Sequence, residues 1–365
     1  MKCNICGNEN DELIVCLNDK QMCLQCYKYM KNSNITEANY IPSKIKGEYL
    51  LTLRQKEISD KLLKFISTND VLINAVTGAG KTEMIYPLIE RMVNDDKIVG
   101  FCAPRKDLII ELSARINKTF PKCHILTLYG GSTKIEDASL YVFTTHQVSR
   151  FNKFFDCLII DEVDAFPYYG NSVLESLVRR SVKGHIVYMS ATISYIEGTK
   201  VLSLNRRFHG KDIPVPKVVK CISKYLKTLY LLSRLLKKRK IVIIYVSSRK
   251  VGYKLYRSLI WYGSVVFVHS TIQNRDKEFE KIRNYEYRIV IATTIMERGV
   301  TLENVSVIVY DSESSIFDVS TLLQIVGRVG RKIGYEDGEI YFLTYTRCKK
   351  FKEVIRRVKW LNEQV

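Results

Sequence analysis

Short apolar runs alternate along this chain with segments in which apolar residues recur every three or four positions. The runs are four to six residues long and read as buried strands, whereas the periodic segments are typical of amphipathic helices. Strands that are apolar throughout, with helices between them, indicate a parallel sheet covered on both faces. The pattern therefore predicts an α/β fold.

The predicted elements fall into two α/β sets. Predicted strands cover residues 70–74, 98–102, 124–128, 140–143, 157–160 and 185–189 in the first set, and 241–245, 264–268, 288–292, 305–310 and 339–343 in the second. Predicted helices cover 51–66, 83–92, 107–116 and 225–236. The segment 205–217 contains Gly210, Pro214 and Pro216 and is expected to link the two sets.

We therefore divide the chain into five parts. A cysteine-containing module and polar connector occupy 1–50, the first α/β domain 51–204, the linker 205–217, the second domain 218–346, and a basic amphipathic helix 347–365. The helix either packs on the second domain or binds a partner or a membrane surface.

The first predicted strand leads into the sequence 75–82, Ala-Val-Thr-Gly-Ala-Gly-Lys-Thr, and a helix follows. Strand, glycine-bearing loop and helix form the context of a phosphate-binding loop, in which backbone N–H groups approach phosphate oxygens. Lys81 would reach the β- and γ-phosphates, and the Thr82 hydroxyl would bind Mg²⁺. The nucleotide-binding candidates of this loop are Thr77, Gly78, Ala79, Gly80, Lys81 and Thr82.

Acidic and polar residues follow other predicted strands directly. Asp161 and Glu162 come after a buried strand, where Asp161 would hold Mg²⁺ opposite Thr82 and Glu162 would polarise the attacking water. Arg54 and Gln55, just upstream of the loop, are candidates for hydrogen bonds to an adenine edge. Ligands of parallel sheets bind beyond the carboxyl ends of the strands, where these residues are expected to lie.

The second set has no phosphate loop but contains the sequence 324–331, Gln-Ile-Val-Gly-Arg-Val-Gly-Arg. We expect Arg328 and Arg331 to reach across a cleft to the γ-phosphate held by the first domain, with Gln324 beside them. Arginine in this role stabilises the charge of the phosphoryl-transfer transition state.

Two cysteine pairs near the start of the chain have metal-ligand spacing. Sixteen residues separate the pair Cys3 and Cys6 from the pair Cys23 and Cys26, and four thiolates close a tetrahedral Zn²⁺ site that is structural rather than catalytic. Cys16 is a weaker candidate ligand, and a redox-active Cys-x-x-Cys pair is the less favoured alternative because the surrounding βαβ pattern is missing.

Charge is distributed unevenly. The chain has a net charge of +19, and 17 of its Lys and Arg residues against one acid, Asp212, lie between Lys200 and Arg257. Such a field favours a polyanion, either nucleic acid or an anionic membrane surface, over the simpler interpretation of a solvated basic face. With no apolar run of about 18 residues, we expect a cytoplasmic protein without a transmembrane segment.

Taken together, the phosphate loop, Pro104-Arg105, the Asp-Glu-Val-Asp of 161–164, the Ser-Ala-Thr of 190–192 and the segment 324–331 resemble the motif set of superfamily 2 helicases. Within that superfamily the chain is similar to the ComFA family of late competence proteins. The similarity rests on the four-cysteine module, on 161–167 (Asp-Glu-Val-Asp-Ala-Phe-Pro) and on 293–301 (Thr-Thr-Ile-Met-Glu-Arg-Gly-Val-Thr).

The resemblance implies two tandem RecA-like domains and an ATP-driven motor that acts on single-stranded DNA with ATP, Mg²⁺ and one structural Zn²⁺. It also implies work alongside other competence proteins, including a membrane DNA channel, at the inner face of the cell membrane. By position, Gly299 joins the nucleotide-binding residues, and Ser190 and Thr192 couple the nucleotide state to domain movement. The implied DNA contacts are Pro104, Arg105, Gly130, Gly131, Thr144, Thr145, Ser247, Ser248, Arg249, Thr293 and Thr294.

Two other functions remain open at this point. The same set of motifs serves replication-restart and repair helicases that separate duplexes, which a strand-displacement assay would distinguish from a translocase. A zinc-containing DNA-binding adaptor that does not hydrolyse ATP is the alternative from a different class. The complete set of Lys81, Glu162 and Arg331 argues against the adaptor.

Overall fold

The computed structural model describes residues 2–10, 13–17, 20–30, 41–132, 136–204, 207, 210–269, 275–293, 302–330 and 334–363. The contacts divide the chain into two compact units. The first unit comprises Met1–Ala75 and Gly80–Leu204, and the second comprises Val76–Ala79 and Asn205–Val365.

The first unit is built on a parallel sheet of seven strands with helices in the connections. Two further strands, β1 (Ile14–Leu17) and β2 (Lys20–Cys23), form a separate antiparallel pair. The seven strands of the sheet are β3 (Asp70–Ala75), β4 (Val99–Ala103), β5 (Ile125–Leu128), β6 (Leu140–Thr144), β7 (Phe155–Ile160), β8 (Val182–Ser190) and β9 (Thr199–Leu204). The helices of the unit are α1 (Leu24–Met30), α2 (Leu53–Phe65), α3 (Lys81–Met84), α4 (Tyr86–Asn94), α5 (Lys106–Thr119) and α6 (Ser172–Ser181), with a 3-10 helix over Thr145–Arg150. The sheet order is β5-β6-β4-β7-β8-β3-β9.

The second unit repeats this architecture with a parallel sheet of six strands. Its strands are β10 (Lys217–Lys220), β11 (Ile241–Tyr245), β12 (Val265–Val268), β13 (Ile289–Ala292), β14 (Val305–Val309) and β15 (Ile340–Thr344), in the order β10-β15-β14-β11-β13-β12. Its helices are α7 (Lys224–Lys237), α8 (Arg249–Leu259), α9 (Arg275–Arg283), α10 (Val319–Val326) and α11 (Lys349–Glu363), with a 3-10 turn over Ile260–Tyr262.

These two parallel sheets confirm the predicted fold class of two RecA-like domains. The central strands are fully buried, β4 and β11 among them, as their uninterrupted apolar runs require. Side chains of Leu72, Tyr141 and Phe155 belong to the core of the first unit.

One predicted helix is divided. The apolar period over 83–92 suggests a single helix, but α3 ends at Met84 and α4 begins at Tyr86. Pro87 explains the interruption, because it has no N–H to donate to the Glu83 carbonyl. The break keeps Lys81 and Thr82 on a short helix of their own.

The edge strands β9 and β10 have no counterpart among the predicted elements. Both strands are largely exposed: two of the six residues of β9 and none of the four residues of β10 are buried. Neither strand therefore shows an apolar run. The tail forms α11, whose Phe351 and Val358 are buried and whose Phe351 ring packs against Phe342. No helix in the described part of the chain is long and apolar enough to cross a membrane.

Candidate nucleotide and nucleic-acid sites

The glycine loop adopts the conformation that its sequence favours. Gly78 and Gly80 have φ values of 86° and 79°, in the left-handed region that residues with a Cβ rarely occupy. The Ala79 N–H donates to the Val76 carbonyl at 3.0 Å. Lys81 is half-buried and its Nζ donates to the Ala75 carbonyl at 2.9 Å, so the ammonium lies over its own loop.

Gln55 supports this loop from the first turn of α2. Its side chain is buried and forms a reciprocal capping box with Thr52, accepting from the Thr52 N–H at 2.9 Å. A Cβ placed on Gly80 would overlap the Gln55 amide, so glycine permits their close approach. Arg54, its neighbour, is exposed.

Asp161 and Glu162 follow β7 at the carboxyl edge of the sheet. Burial and the neighbouring Glu162 carboxylate raise the pKa of Asp161 to about 6, against the opposing charge of Lys81. The Glu162 N–H donates to Asp161 Oδ1 at 2.9 Å, and Glu162 has a φ of 53°, which is uncommon for a residue other than glycine. The backbone thus turns sharply where the two carboxylates diverge.

A hydrogen bond joins the acidic segment to the loop after β8. Thr192 Oγ1 donates to Asp164 Oδ2 at 2.6 Å, and Ser190 Oγ accepts from the N–H groups of Thr192 and Ile193 at 3.0 and 2.9 Å. Asp164 is a residue that the sequence analysis did not assign to the site. Its position three residues after Asp161, at the same strand end, is the signal that could have identified it.

The nucleic-acid candidates of the first unit follow three adjacent strands. Pro104 and Arg105 follow β4, Gly130 and Gly131 follow β5, and Thr144 and Thr145 lie at the end of β6. The two glycines have no atom within 4 Å of where a Cβ would lie, and Gly131 has a φ of 95°. Thr144 and Thr145 are buried, whereas Arg105 is partly exposed.

The strand order divides this edge of the first unit in two. The nucleotide candidates follow β3, β7 and β8, which are neighbours on one side of the sheet, and the nucleic-acid candidates follow β4, β5 and β6 on the other. Because β4 pairs with β7, the two groups are contiguous along one edge.

The second unit places its candidates at the corresponding edge. Ser247, Ser248 and Arg249 follow β11, where Ser247 Oγ donates to Asp311 Oδ2 at 2.8 Å and Ser248 caps α8. Thr293 follows the adjacent β13. Thr294, Gly299 and Arg331 lie outside the described residues.

Gln324 is partly exposed on α10, and Arg328 is buried in the turn that follows. Arg207, which the sequence analysis did not assign to any site, holds that turn. Its guanidinium is buried and donates to the carbonyls of Gly327, Val329 and Gly330 at 3.1, 2.6 and 2.5 Å. Burial lowers the pKa of Arg207 to about 10. No sequence signal separates this arginine from its many basic neighbours.

The two cysteine pairs converge on one point. The sulfur atoms of Cys3, Cys6, Cys23 and Cys26 lie within 4.8 Å of one another, and those of Cys6 and Cys23 are 3.6 Å apart. Tetrahedral zinc with Zn–S bonds of about 2.3 Å separates its sulfur ligands by about 3.8 Å, so the four side chains fit that ion. Cys16 lies outside the cluster, exposed on β1.

Comparisons with known proteins agree with this geometry. The family model for the type III restriction enzyme, res subunit, matches residues 48–195, and that for the helicase conserved C-terminal domain matches 223–333. The structure of Dbp5 from S. cerevisiae bound to RNA and ADP BeF3 has a TM-score of 0.66 and 18% identity, covering 86% of this chain and 92% of that one. The fold and the matched domains define a superfamily 2 helicase.

Two curated relatives are more specific. The competence protein ComFA of Streptococcus pneumoniae is 35% identical over 336 residues, covering 86% of this chain and 78% of its own length. ComFA of Bacillus subtilis is 33% identical over 352 residues, covering 90% and 75%. The chain belongs to the ComFA family, as the motif comparison predicted.

Proposed function

We propose that this protein is an ATP-dependent translocase on single-stranded DNA that helps to draw transforming DNA into the cell. The observation that carries the proposal is the divided edge of the first sheet. The phosphate loop follows β3, the acidic pair follows β7, and the Ser190–Thr192 segment lies at the end of β8 between them, whereas the candidate backbone contacts lie at the ends of the next three strands. Membership in a competence family and the basic surplus of the second unit favour DNA as the polyanion.

The chemical roles follow from the side chains. Lys81 neutralises the β- and γ-phosphates, and Glu162 orients the attacking water as a general base. Thr82 and Asp161 would hold Mg²⁺, which supplies Lewis-acid stabilisation of the phosphate charge when bound. We expect Arg328 and Arg331 to stabilise the charge that develops on the γ-phosphate, and Arg207 holds the turn that contains Arg328. Ser190, Thr192 and Asp164 transmit the nucleotide state to the rest of the first unit.

Sequence-tolerant binding is expected from contacts to the backbone rather than to the bases. The glycines after β5 offer N–H groups that suit phosphate oxygens, and Ser248, whose Oγ accepts from the Val251 N–H, keeps its own O–H to donate. We further propose that Cys3, Cys6, Cys23 and Cys26 bind one structural Zn²⁺. Four thiolates leave no coordination position open for catalysis.

The deciding experiment compares ATP hydrolysis without nucleic acid and with oligo(dT), duplex DNA or oligo(rU). We expect at least tenfold stimulation by oligo(dT) and less by the other two. Glu162→Gln is the negative control, because it keeps the size of the side chain but removes the general base. Equal rates with and without DNA would rule out a DNA-driven motor. Larger stimulation by oligo(rU) than by oligo(dT) would indicate an RNA-dependent ATPase instead.

The zinc proposal has its own measurement. Zinc released by a mercurial reagent should amount to one equivalent per chain and should fall to near zero in the variant Cys23→Ser. Cys16→Ser, a matched change at the exposed cysteine outside the cluster, should leave the zinc content unchanged. One equivalent in both variants would show that these four thiols do not hold the ion.

A further inference from the structure

The positive charges of the second unit are not equivalent. Several cations on α7 and just after it face carboxylates of the unit: Arg234 and Lys238 lie 2.6 and 2.9 Å from Glu339, and Lys240 lies 2.5 Å from Asp337. Burial opposes ionisation of Glu339, but its hydrogen bonds and cationic neighbours lower its pKa to about 2. These cations are therefore partly neutralised from within the unit.

Three cations of α8 have no such carboxylate partner among the described residues. The sequence of this helix, Arg-Lys-Val-Gly-Tyr-Lys-Leu-Tyr-Arg-Ser-Leu, contains four cations and no acid. Lys250, Lys254 and Arg257 are exposed, and no carboxylate of the described part of the chain lies within ion-pair distance of any of them. Three unneutralised cations on one helix favour an anionic partner.

The exposed face of α8 also carries aromatic rings. Lys250, Tyr253, Lys254, Arg257 and Trp261 are spaced by three or four residues and therefore form one stripe along the helix and the 3-10 turn after it. Trp261 is 91% exposed and Tyr253 57% exposed. We call these five residues the α8 stripe.

The opposite face fixes the orientation of the stripe. Leu255 and Leu259 are buried in the core of the second unit. Gly252 lies so close to Phe267 that a Cβ at this position would overlap the ring. The helix therefore cannot rotate to bury Tyr253 or Trp261 without losing its core contacts.

The α8 stripe begins beside the candidate backbone contacts of the second unit. Ser248 and Arg249, which begin α8, are candidate backbone contacts at the carboxyl edge of the sheet. From there the helix runs back along the sheet toward the start of β12, over about 16 Å at 1.5 Å per residue. The stripe thus leads away from the candidate site rather than belonging to it.

We propose that the α8 stripe is a second binding surface for single-stranded nucleic acid, and this inference rests on the proposed function. Lys250, Lys254 and Arg257 neutralise phosphates, while Tyr253 and Trp261 stack on bases. Alternating cations and exposed rings are the combination that binds single strands without sequence preference. An anionic lipid surface would use the same charges, and the experiment includes it as a separate arm.

Tryptophan fluorescence tests the proposal directly, because the chain has two tryptophans. In a Trp360→Phe background Trp261 is the sole reporter. Oligo(dT) should quench its emission saturably, and added salt should reverse the quenching. Vesicles of phosphatidylcholine with phosphatidylglycerol should leave it unchanged. An emission shift with vesicles and none with oligo(dT) would overturn the proposal in favour of a lipid surface.

Two substitutions locate the binding energy. Replacing Lys250, Lys254 and Arg257 together by Ala should weaken oligo(dT) binding at least about tenfold and reduce the salt slope by about 2, since each phosphate contact on a single strand contributes about 0.7. Trp261→Ala should weaken binding about fivefold or more through lost stacking. Trp360→Ala on α11, a partly exposed tryptophan, is its matched control.

The charge control is a triple alanine variant at Lys352, Arg356 and Lys359, three exposed cations of α11. It removes the same charge and should lower affinity less than the α8 variant. Equal losses would mean that only net charge matters, and the stripe would not be a site. At saturating oligo(dT) the α8 variant should keep the wild-type ATPase rate while needing more DNA for half-stimulation. Absence of stimulation in the wild-type protein would instead count against the proposed function.

Discussion

Each unit carries a lysine and an aspartate at the carboxyl edge of its parallel sheet, but the two pairs are built differently. In the first unit Lys81 follows the glycine loop, rests on the Ala75 carbonyl and influences the ionisation of Asp161. In the second unit Lys224 is 3% exposed and binds Asp311 and Glu313 at 3.3 and 2.5 Å. Its ammonium also lies 4.1 Å from the centre of the Tyr345 ring.

This difference shows that the fold alone does not determine the chemistry of a strand end. Both sheets are parallel and both present charged residues at the same edge. Lys224 has its partners within the protein, so it stabilises the unit and has no group left for a ligand. Lys81 makes its described hydrogen bond to a neutral carbonyl, which a phosphate oxygen can replace at little cost.

The largest expected effect is on the ATPase rate, which should depend on Lys81 and not on Lys224. Lys81→Ala should lower the DNA-stimulated ATPase rate by at least about 10³-fold, because the charge opposite the transferred phosphate is lost. Thermal unfolding should change little, since the described hydrogen bond of Lys81 goes to a neutral carbonyl. Steady-state phosphate release measures the rate. A tenfold loss or less would mean that Lys81 is not a phosphate ligand.

The second prediction reverses this pattern at the other lysine. Lys224→Ala should destabilise the second unit by about 3–5 kcal/mol, because it leaves two carboxylates without their buried partner. Lys224→Met together with Asp311→Asn and Glu313→Gln should recover much of that loss. Urea unfolding monitored by circular dichroism measures both variants, and the folded fraction should retain its ATPase activity.

Much of this molecule is predictable from the sequence for a physical reason. Buried parallel strands such as β11 need continuous apolar runs, and its predicted and observed bounds are the same, Ile241–Tyr245. Polar residues directly after such runs, Asp161 among them, must lie at one edge. Edge strands β9 and β10 escape the pattern because they bury few side chains.

Contacts between distant segments were not predictable. The hydrogen bond of Thr192 to Asp164 joins two strand ends 28 residues apart, and Arg207 meets the Gly327–Gly330 turn 120 residues later. Nothing local marks Arg207, because its role depends on what the fold brings beside it, and the position of Asp164 after Asp161 does not indicate Thr192 as its partner. That Lys238 and Lys240 are paired with carboxylates also became visible only from the positions of Glu339 and Asp337.

A smaller effect is expected from Arg207, a positioning residue. Arg207→Ala should lower kcat about tenfold with little change in KM for ATP, because the turn that carries Arg328 loses three hydrogen bonds. Arg207→Lys should restore part of the rate, since an ammonium can still donate to the carbonyls. Equal falls in kcat and in thermal stability for both variants would indicate a purely structural role.

The smallest effect concerns the ionisation of Asp161. Its pKa rises from an ordinary value near 3.8 in the unfolded chain to about 6 in the folded protein. Between these two values the folded state binds a proton that the unfolded state does not, so the contribution of Asp161 to stability falls as the pH rises from about 4 to 6. Above pH 6 the folded protein carries a partly buried carboxylate at a cost of about 1–2 kcal/mol.

Asp161→Asn should therefore be more stable than the wild type at pH 7.5 by about that amount and no more stable at pH 4. The same variant should have almost no ATPase activity, because an amide binds Mg²⁺ weakly. In the wild type kcat/KM should rise with pH through about 6, as the carboxylate forms. A constant stability difference between the two pH values would show that Asp161 does not titrate in this range. If Asp161→Asn gains stability and loses activity, the Asp161 carboxylate serves catalysis at a cost in stability. Asp311 differs, because its carboxylate is paired with Lys224 within the unit.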